Sequence, residues 1–313
     1  MHPISVKGLL SVYVFLPLVL VFIFCDHFFF NGAGRHMLPR NPETLLWYTL
    51  LFNLPHIFTS FFSFADREYL AFYKWPLLFG LPLIALLAFL LPAFNLISTV
   101  FMLVLYTLYH NVSQQTGVTM SLMRYKSLSV QVWRFINILL GLYLYFLIYP
   151  PIAIPILQVY ALPVLGTLLT ISLALTISFV RHSKTREGKL YAFGTASIAG
   201  VGMIAFMTGY PFFVATTLRV VHDLTAFIFY ITHDINRNRE KMKNFLYATL
   251  LPSTKLFIVG IPLYAIFFTF IAQQGGTSLV LQAFFLISVT HFYIEGFMWK
   301  NGSIHRQQIT FQF

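Results

Sequence analysis

The most regular feature of the chain is a succession of long apolar runs separated by short polar segments. A helix that crosses a bilayer needs about 20 mostly apolar residues. Applied along the sequence, this length predicts about ten spans, with a range of about eight to ten. They cover residues 8–30, 45–65, 76–94, 95–118, 133–150, 159–180, 191–209, 211–235, 256–273 and 276–299. We therefore predict an all-α polytopic membrane bundle that forms a single transmembrane domain over residues 1–313.

Composition supports the same fold class and excludes others. Hydrophobic residues make up 58% of the 313 residues and charged residues only 9%, whereas a soluble domain carries about 25% charged residues. The net charge of +11 comes from basic residues in short loops, so it does not indicate nucleic-acid binding. The single Cys25 allows no intrachain disulfide.

The basic residues give the predicted helices a direction. With ten spans, every Lys and Arg except Arg35, Arg40 and Arg219 falls on one side of the membrane. Short cytoplasmic loops carry the excess of Lys and Arg in membrane proteins. Both termini are therefore expected to be cytoplasmic.

Four histidines lie inside predicted spans. They are His56, His110, His222 and His291, on the second, fourth, eighth and tenth spans. All four spans run from outside to inside, and each histidine is about 11 to 15 residues from the outer end, so the four lie within about 6 Å in depth. An ionisable residue in the membrane is by default a functional-site hypothesis. We predict that the four imidazoles converge on one point.

Imidazole nitrogens bind Fe, Zn, Cu and Ni, so this convergence predicts a metal site. Metal-bound histidines need partners that fix the ring tautomer. Glu295 and Gln114 each follow a histidine by four residues and share its helix face. Arg219 lies three residues before His222, on the same face. The other polar candidates near the histidines are Asn53, Ser60, Thr290, Gln115 and Asp223, although Asp223 is expected to point about 100° away from His222.

The remaining histidines are expected outside the site. His233 lies about 16 Å along the helix from His222 and is predicted at the cytoplasmic surface beside Asp234. His27 and His36 are predicted at the outer surface. His182 and His305 are predicted in solvated cytoplasmic loops. The zinc-protease HExxH helix, the phosphate-binding glycine loop and the histidine boxes of membrane desaturases are absent from the sequence.

The order of the histidine motifs resembles that of a known family. Leu54-Pro55-His56 is followed by His110, His222 and His291 at intervals of 54, 112 and 69 residues. This pattern is similar to the Brp/Blh family of bacterial integral-membrane β-carotene 15,15′-dioxygenases. The resemblance implies that these four histidines bind an Fe(II) centre and that dioxygen splits a polyene double bond. It also implies the bacterial inner membrane as the location.

Three hypotheses follow from the sequence. The first is a non-haem iron oxygenase acting on a long apolar lipid or carotenoid-like substrate, with Glu295, Gln114 and Arg219 as catalytic candidates and Zn as an alternative metal. The second is a b-type haem protein for electron transfer, in which two histidines bind the haem. The third is a transporter with a histidine-lined polar pathway, although no convincing internal repeat supports it.

Overall fold

The computed structural model describes residues 1–39, 48, 51–52, 54–90, 96–149, 154–251, 253–273, 277–300 and 302–313. Its helices are α1 Val6–Ser11, α2 Phe15–Phe29, α3 Ala33–Met37, α4 Leu54–Ser63, α5 Arg67–Phe72, α6 Lys74–Leu90, α7 Leu96–Met123, α8 Leu128–Ile148, α9 Ile156–Val159, α10 Ala161–Val180, α11 Arg186–Met207, α12 Pro211–Asn238, α13 Phe245–Leu250, α14 Phe257–Gln273 and α15 Thr277–Met298. Short 3₁₀ turns cover Val12–Val14, Thr254–Leu256 and Arg306–Gln308. The all-α prediction is confirmed, and each predicted span overlaps one of these helices.

Five of the described helical stretches are long and apolar enough to cross a membrane. They are Val6–Phe29, Leu128–Ile148, Pro155–Val180, Arg186–Met207 and Pro211–Asn238. Three shorter apolar helices cover Lys74–Leu87, Thr254–Phe270 and Phe285–Met298. These helices indicate a membrane protein, and the count of ten crossings stays a prediction.

The outer face of α14 shows why water is an unsuitable surrounding for this chain. Ile258, Val259 and Leu263 on this helix are 63%, 62% and 59% exposed. Phe267 and Phe270 continue the same exposed stripe. Large contiguous apolar patches are rare on soluble monomers, whereas lipid tails solvate them at no cost. The stripe therefore fits a helix that faces lipid.

The chain divides into two compact units. The first, called unit 1 below, comprises Met1–Ser5, Trp47–Thr99 and Asp223–Gln312. Unit 2 comprises Val6–Leu46 and Val100–His222, together with Phe313. The division falls inside α12, which contributes its first half to unit 2 and its second half to unit 1.

In unit 1, α4 packs against α14 and α15, and α15 also packs against α6. A core around Tyr69, Tyr230 and Met298 fills one part of this unit. A two-residue parallel pair joins the ends of the chain, with Ile4 opposite Phe311. The two termini therefore lie side by side, and their cytoplasmic location stays a prediction.

In unit 2, α8, α10 and α11 pack against one another, and α11 also contacts α1 and α2. The core between them is built around the fully buried Trp133 and Phe179. Polar side chains cap the N-termini of two of these helices. The side chain of Ser127 accepts a bond from Val130 N at the start of α8, and that of Thr185 accepts one from Gly188 N at the start of α11.

Candidate metal centre

Two of the four predicted ligands come together in unit 1. His56 lies on α4 and His291 on α15, and these two helices pack against each other. The ring centroids are 4.9 Å apart, the rings are nearly perpendicular at 82°, and a ring nitrogen of one lies within 4.8 Å of a ring nitrogen of the other. His56 is 3% exposed and His291 is fully buried. The pair is thus buried and close enough to share an ion.

Acceptor groups fix the tautomer of His56. Its Nδ1 lies 3.2 Å from Oδ1 of Asp223 and 3.4 Å from the carbonyl oxygen of Phe52. An ionised carboxylate and a carbonyl are acceptors only, so Nδ1 carries the hydrogen. The lone pair of this imidazole then lies on Nε2, which is the atom that binds metal when Nδ1 donates to a carboxylate.

A similar argument fixes His291. Its Nδ1 is 2.9 Å from Oγ of Ser60. That hydroxyl donates its single hydrogen to the carbonyl oxygen of Ile57 at 2.6 Å, so it accepts from His291. Nδ1 of His291 therefore carries the hydrogen and its lone pair lies on Nε2. Ser60, named from the sequence as a polar group near the histidines, thus contacts His291.

A carboxylate stands next to this pair. Glu295 follows His291 by one turn of α15, and a carboxylate oxygen lies within 4.8 Å of a ring nitrogen of His291. Glu295 is 6% exposed and accepts a hydrogen bond from the hydroxyl of the buried Tyr230. Two imidazoles and one carboxylate form the ligand set of many non-haem Fe(II) sites. In unit 1 a ligand atom of His56 and one of Glu295 each lie within 4.8 Å of a ring nitrogen of His291. These buried residues, called the His56–His291 cluster below, can hold a metal ion.

The other two predicted ligands come together in unit 2. His110 on α7 and His222 on α12 have ring centroids 5.0 Å apart and an interplanar angle of 79°. Both are buried, at 8% and 1% exposed. Gln114 and Arg219 lie on the same two helices and are half-buried. Their predicted catalytic roles, and the prediction that all four histidines bind one ion, stay predictions.

Gln115 has a different environment from the one expected of a residue beside a metal. It is fully buried, and its Oε1 accepts bonds from the hydroxyls of Tyr191 at 2.6 Å and Tyr13 at 3.2 Å. These partners are not histidines, so the contacts connect α7 with α11 and with the turn that precedes α2.

A second buried histidine cluster lies in unit 1 around the C-terminal half of α12. His233 uses both ring nitrogens: Nδ1 lies 2.6 Å from Oδ1 of Asp234, and Nε2 lies 2.9 Å from the hydroxyl of Tyr69. The ring of His305 stacks on His233 at 4.7 Å and on Tyr69 at 3.9 Å. These residues are called the His233–His305 cluster below.

The carboxylate of this second cluster is held from several sides. Asp234 accepts from the hydroxyl of Ser63 at 2.9 and 3.1 Å and from the hydroxyl of Tyr247 at 2.6 Å. Burial raises the pKa of Tyr247, and the Asp234 carboxylate raises it further, so the phenol keeps the proton that it donates.

Two sequence predictions about this region are wrong. His233 was expected at the surface and His305 in a solvated loop, but both are fully buried. Burial lowers the pKa of His305, and the neighbouring His233 and Arg237 lower it further. Tyr73, whose hydroxyl lies 3.1 Å from Nδ1 of His305, helps to enclose it. Aromatic side chains surround the ring of His305, and they include Phe64, Tyr69 and Tyr73 around α5 and Trp299 after α15. No periodicity in the short C-terminal segment signals this pocket.

Sequence reasoning also missed one contact and one residue of the first cluster. Asp223 was named as a polar candidate but expected to point away from His222, and its carboxylate lies 3.2 Å from Nδ1 of His56. Tyr230, seven residues further on α12, was not singled out. Its spacing of two helical turns from Asp223 is the signal that would have placed both on one face. The candidate Asn53 lies outside the described residues, and His27, His36 and His182 are exposed as expected.

Comparison with known proteins adds no relative. No family model, no curated protein and no solved structure matches this chain.

Proposed function

We propose that this protein is a membrane-embedded, metal-dependent oxidoreductase, a non-haem iron oxygenase that acts on a long apolar substrate. The observation that carries the proposal is the His56–His291 cluster, in which two buried imidazoles hold acceptors at Nδ1 and a carboxylate oxygen of Glu295 lies within 4.8 Å of a ring nitrogen of His291. Burying such groups among apolar helices is costly. A bound cation compensates for that cost.

The separation of the rings supports two ligands on adjacent positions of one ion. With metal–nitrogen bonds of about 2.1 Å, ring centroids would lie about 3.2 Å from the ion, so two ligands at right angles would have centroids about 4.5 Å apart. Two histidines on opposite sides of a haem iron would have centroids about 6.4 Å apart. The values of 4.9 Å for His56–His291 and 5.0 Å for His110–His222 favour adjacent ligands over a haem.

Each residue of the cluster has a role that its contacts support. Asp223 holds His56 through Nδ1, and Ser60 holds His291 in the same way. Such partners fix ring orientation and increase ligand basicity. The hydroxyl of Tyr230 donates to Glu295, which limits the freedom of that carboxylate to rotate. Iron bound here would supply dioxygen activation, leaving open positions for dioxygen and substrate.

The substrate class follows from the surroundings. Lipid-facing helices and a buried site favour a substrate that dissolves in the bilayer, such as a polyene or another long apolar lipid. Gln114 and Arg219 are proposed to contact oxygen or a polar substrate end, as their positions beside His110 and His222 in the sequence suggest. Zinc is the alternative metal for the same ligands.

Elemental analysis and an optical spectrum of the purified protein test the proposal. We expect about one iron per chain without the Soret band of haem. We also expect dioxygen uptake when β-carotene in detergent micelles is added to protein loaded with Fe(II). A Soret band would contradict the proposal in favour of a haem protein. Protein that stays metal-free after loading with Fe(II) or Zn(II) would contradict any metal-dependent function.

A further inference from the structure

Two loops of unit 2 lie side by side and form one surface. Residues 124–127 connect α7 with α8, and residues 181–185 connect α10 with α11. The backbone N–H of Lys184 donates to the carbonyl oxygen of Met123 at 3.0 Å. Gly188 permits this approach, because a Cβ at that position would stand 2.7 Å from the backbone of Met123. The backbone therefore holds the two loops in a fixed relation.

Side chains strengthen the contact between these loops. The hydroxyl of Thr185 donates to the carbonyl oxygen of Leu122 at 2.6 Å. The ring of Tyr125 stacks on that of His182, with the centroids 5.2 Å apart and the planes at 13°. Charged residues on either loop are thus brought to the same face of unit 2.

This face carries a concentration of positive charge. Five basic side chains are exposed on the two loops and at the first residue of α11, and they are Arg124, Lys126, Arg181, Lys184 and Arg186. They define the basic loop surface. The carboxylate that follows them directly in the sequence is Glu187, which is half-buried. The ion pairs found among the described residues involve none of the five cations.

Basic residues of unit 1 have a different environment. Arg237 forms ion pairs with Asp66 at 2.7 Å and with Glu68 at 2.6 Å, and Lys243 pairs with Glu68 at 3.1 Å. The protein thus neutralises cations in one unit and leaves a group of them without carboxylates in the other. Like charges held close together repel one another. Since an anion would remove that repulsion, the basic loop surface is suited to an anionic partner.

The position of Arg186 strengthens this argument. It is the first residue of α11, where the helix dipole favours negative side chains and disfavours positive ones. The charge of Arg186 therefore does not serve the stability of its own helix. Its exposure instead leaves the guanidinium available to a partner outside the chain.

Exposed apolar side chains beside the cations indicate the class of partner. Leu128 begins α8 two residues after Lys126 and is 78% exposed, and Leu190 on α11 is 49% exposed. A phospholipid presents a phosphate directly beside acyl carbons, so it matches both kinds of side chain. A soluble polyanion presents only the charge and would leave the leucines in water.

We propose that the basic loop surface binds the headgroup of an anionic phospholipid. The ammonium and guanidinium groups contact the phosphate, and Leu128 and Leu190 contact the first acyl carbons. Basic residues at a membrane surface attract anionic lipids strongly enough for each charge to change the affinity about fivefold. This site does not depend on the metal centre, so its test uses lipid binding and not catalysis.

The experiment compares two lipids with the same acyl chains, dioleoyl phosphatidylglycerol and dioleoyl phosphatidylcholine. Native mass spectrometry of the purified full-length protein in detergent resolves the lipids that stay bound. Phosphatidylglycerol has a net negative charge, whereas phosphatidylcholine has none. We expect phosphatidylglycerol to bind at least about tenfold more tightly to the wild type.

A matched pair of double variants locates the binding. Lys184→Gln with Arg186→Gln removes two charges from the basic loop surface and should reduce the preference for phosphatidylglycerol to about threefold or less. Arg239→Gln with Lys241→Gln removes the same two charges, equally spaced, from exposed positions in unit 1 and should keep the wild-type preference. The pair separates a local site from the effect of net charge.

A second loop variant and a soluble competitor complete the test. Lys126→Gln with Arg181→Gln should act like the first loop variant, and it replaces that variant if gel filtration shows misfolding. Glycerol 3-phosphate, at the same concentration as the lipid, should leave phosphatidylglycerol bound, because it lacks acyl chains.

Three results would overturn the proposal. Equal affinity of the wild type for the two lipids would show that headgroup charge is not recognised. An equal loss of preference in the loop variant and in the unit 1 control would show that only net charge matters. Displacement of the lipid by glycerol 3-phosphate would show that the surface binds a soluble phosphate instead of a lipid.

Discussion

The two histidine clusters of unit 1 contain the same kinds of residue but are connected differently. Each has two buried imidazoles, an aspartate, a serine on α4 and a tyrosine. In the His233–His305 cluster, His233 uses both ring nitrogens on protein partners, Asp234 and Tyr69. In the His56–His291 cluster, both histidines donate from Nδ1 to acceptors. In the first arrangement both ring nitrogens of His233 contact protein partners, whereas in the second the Nδ1 contacts place the lone pair of each ring on Nε2, the nitrogen that suits a metal.

This difference teaches how a buried histidine can be assigned to structure or to metal binding. Burial and a nearby carboxylate are common to both clusters, so neither property decides. The decisive property is which atom each ring nitrogen faces and whether that atom is a donor or an acceptor. Ser60 illustrates the point, because its own donation to Ile57 makes it an acceptor for His291.

The largest effect on stability is expected from Asp234→Ala. This change removes the acceptor for Ser63, Tyr247 and His233 at once. Leaving buried donors unpaired should lower the free energy of unfolding by about 3 kcal/mol or more. Thermal unfolding in detergent measures this, and metal content per folded chain should stay unchanged. Loss of metal from a variant as stable as the wild type would reverse the roles given to the two clusters.

A smaller effect is expected when two serines one turn apart on α4 are replaced separately. Ser60→Ala removes the acceptor of His291 Nδ1 and should weaken metal affinity about tenfold with little change in stability. Ser63→Ala removes a donor to Asp234 and should lower the free energy of unfolding by about 1–2 kcal/mol with unchanged metal affinity. Competition with a metal chelator and thermal unfolding give the two readouts. If both substitutions change metal affinity, or both change only stability, the two clusters are not separate in function.

The smallest effect is the contribution of His305 to the pH dependence of stability. Its pKa in the folded protein is lowered by burial, then by His233 and Arg237, so it stays neutral while the unfolded chain takes up a proton near pH 6.5. The stabilising contribution is therefore present above that pH and is lost as the pH falls. Between pH 7 and 5.5 the loss should be about 1 kcal/mol.

His305→Phe serves as the matched variant for this measurement. The phenyl ring keeps the stacking on Tyr69 and His233, while the titrating group is removed. Glu68, whose pKa is lowered by its bonds to Arg237 and Lys243, is present in both proteins and titrates at lower pH. The variant should show a flatter stability profile between pH 7 and 5.5, and an identical slope in both proteins would refute the assignment to His305.

The sequence was sufficient to predict the helices and the buried histidines, because an apolar run of fixed length and an ionisable residue inside it are both local signals. It was not sufficient to predict the hydrogen-bond partner of each ring. Nδ1 of His56 lies against Asp223 on α12 and Nδ1 of His291 against Ser60 on α4, and the lateral neighbours of a helix depend on packing. Asp223 shows the same limit: the sequence named it as a polar candidate, but its contact with His56 on α4 is set by the fold.

The most direct test of the metal centre is the iron content of three variants purified in parallel after loading with Fe(II). We expect His56→Ala and His291→Ala to fall from about one iron per chain to less than about one tenth, because each loses an imidazole from a small ligand set. His182→Ala, which changes an exposed histidine, should keep the wild-type content. Full iron retention in both His56→Ala and His291→Ala, with all three proteins folded, would contradict the claim that this cluster binds the metal.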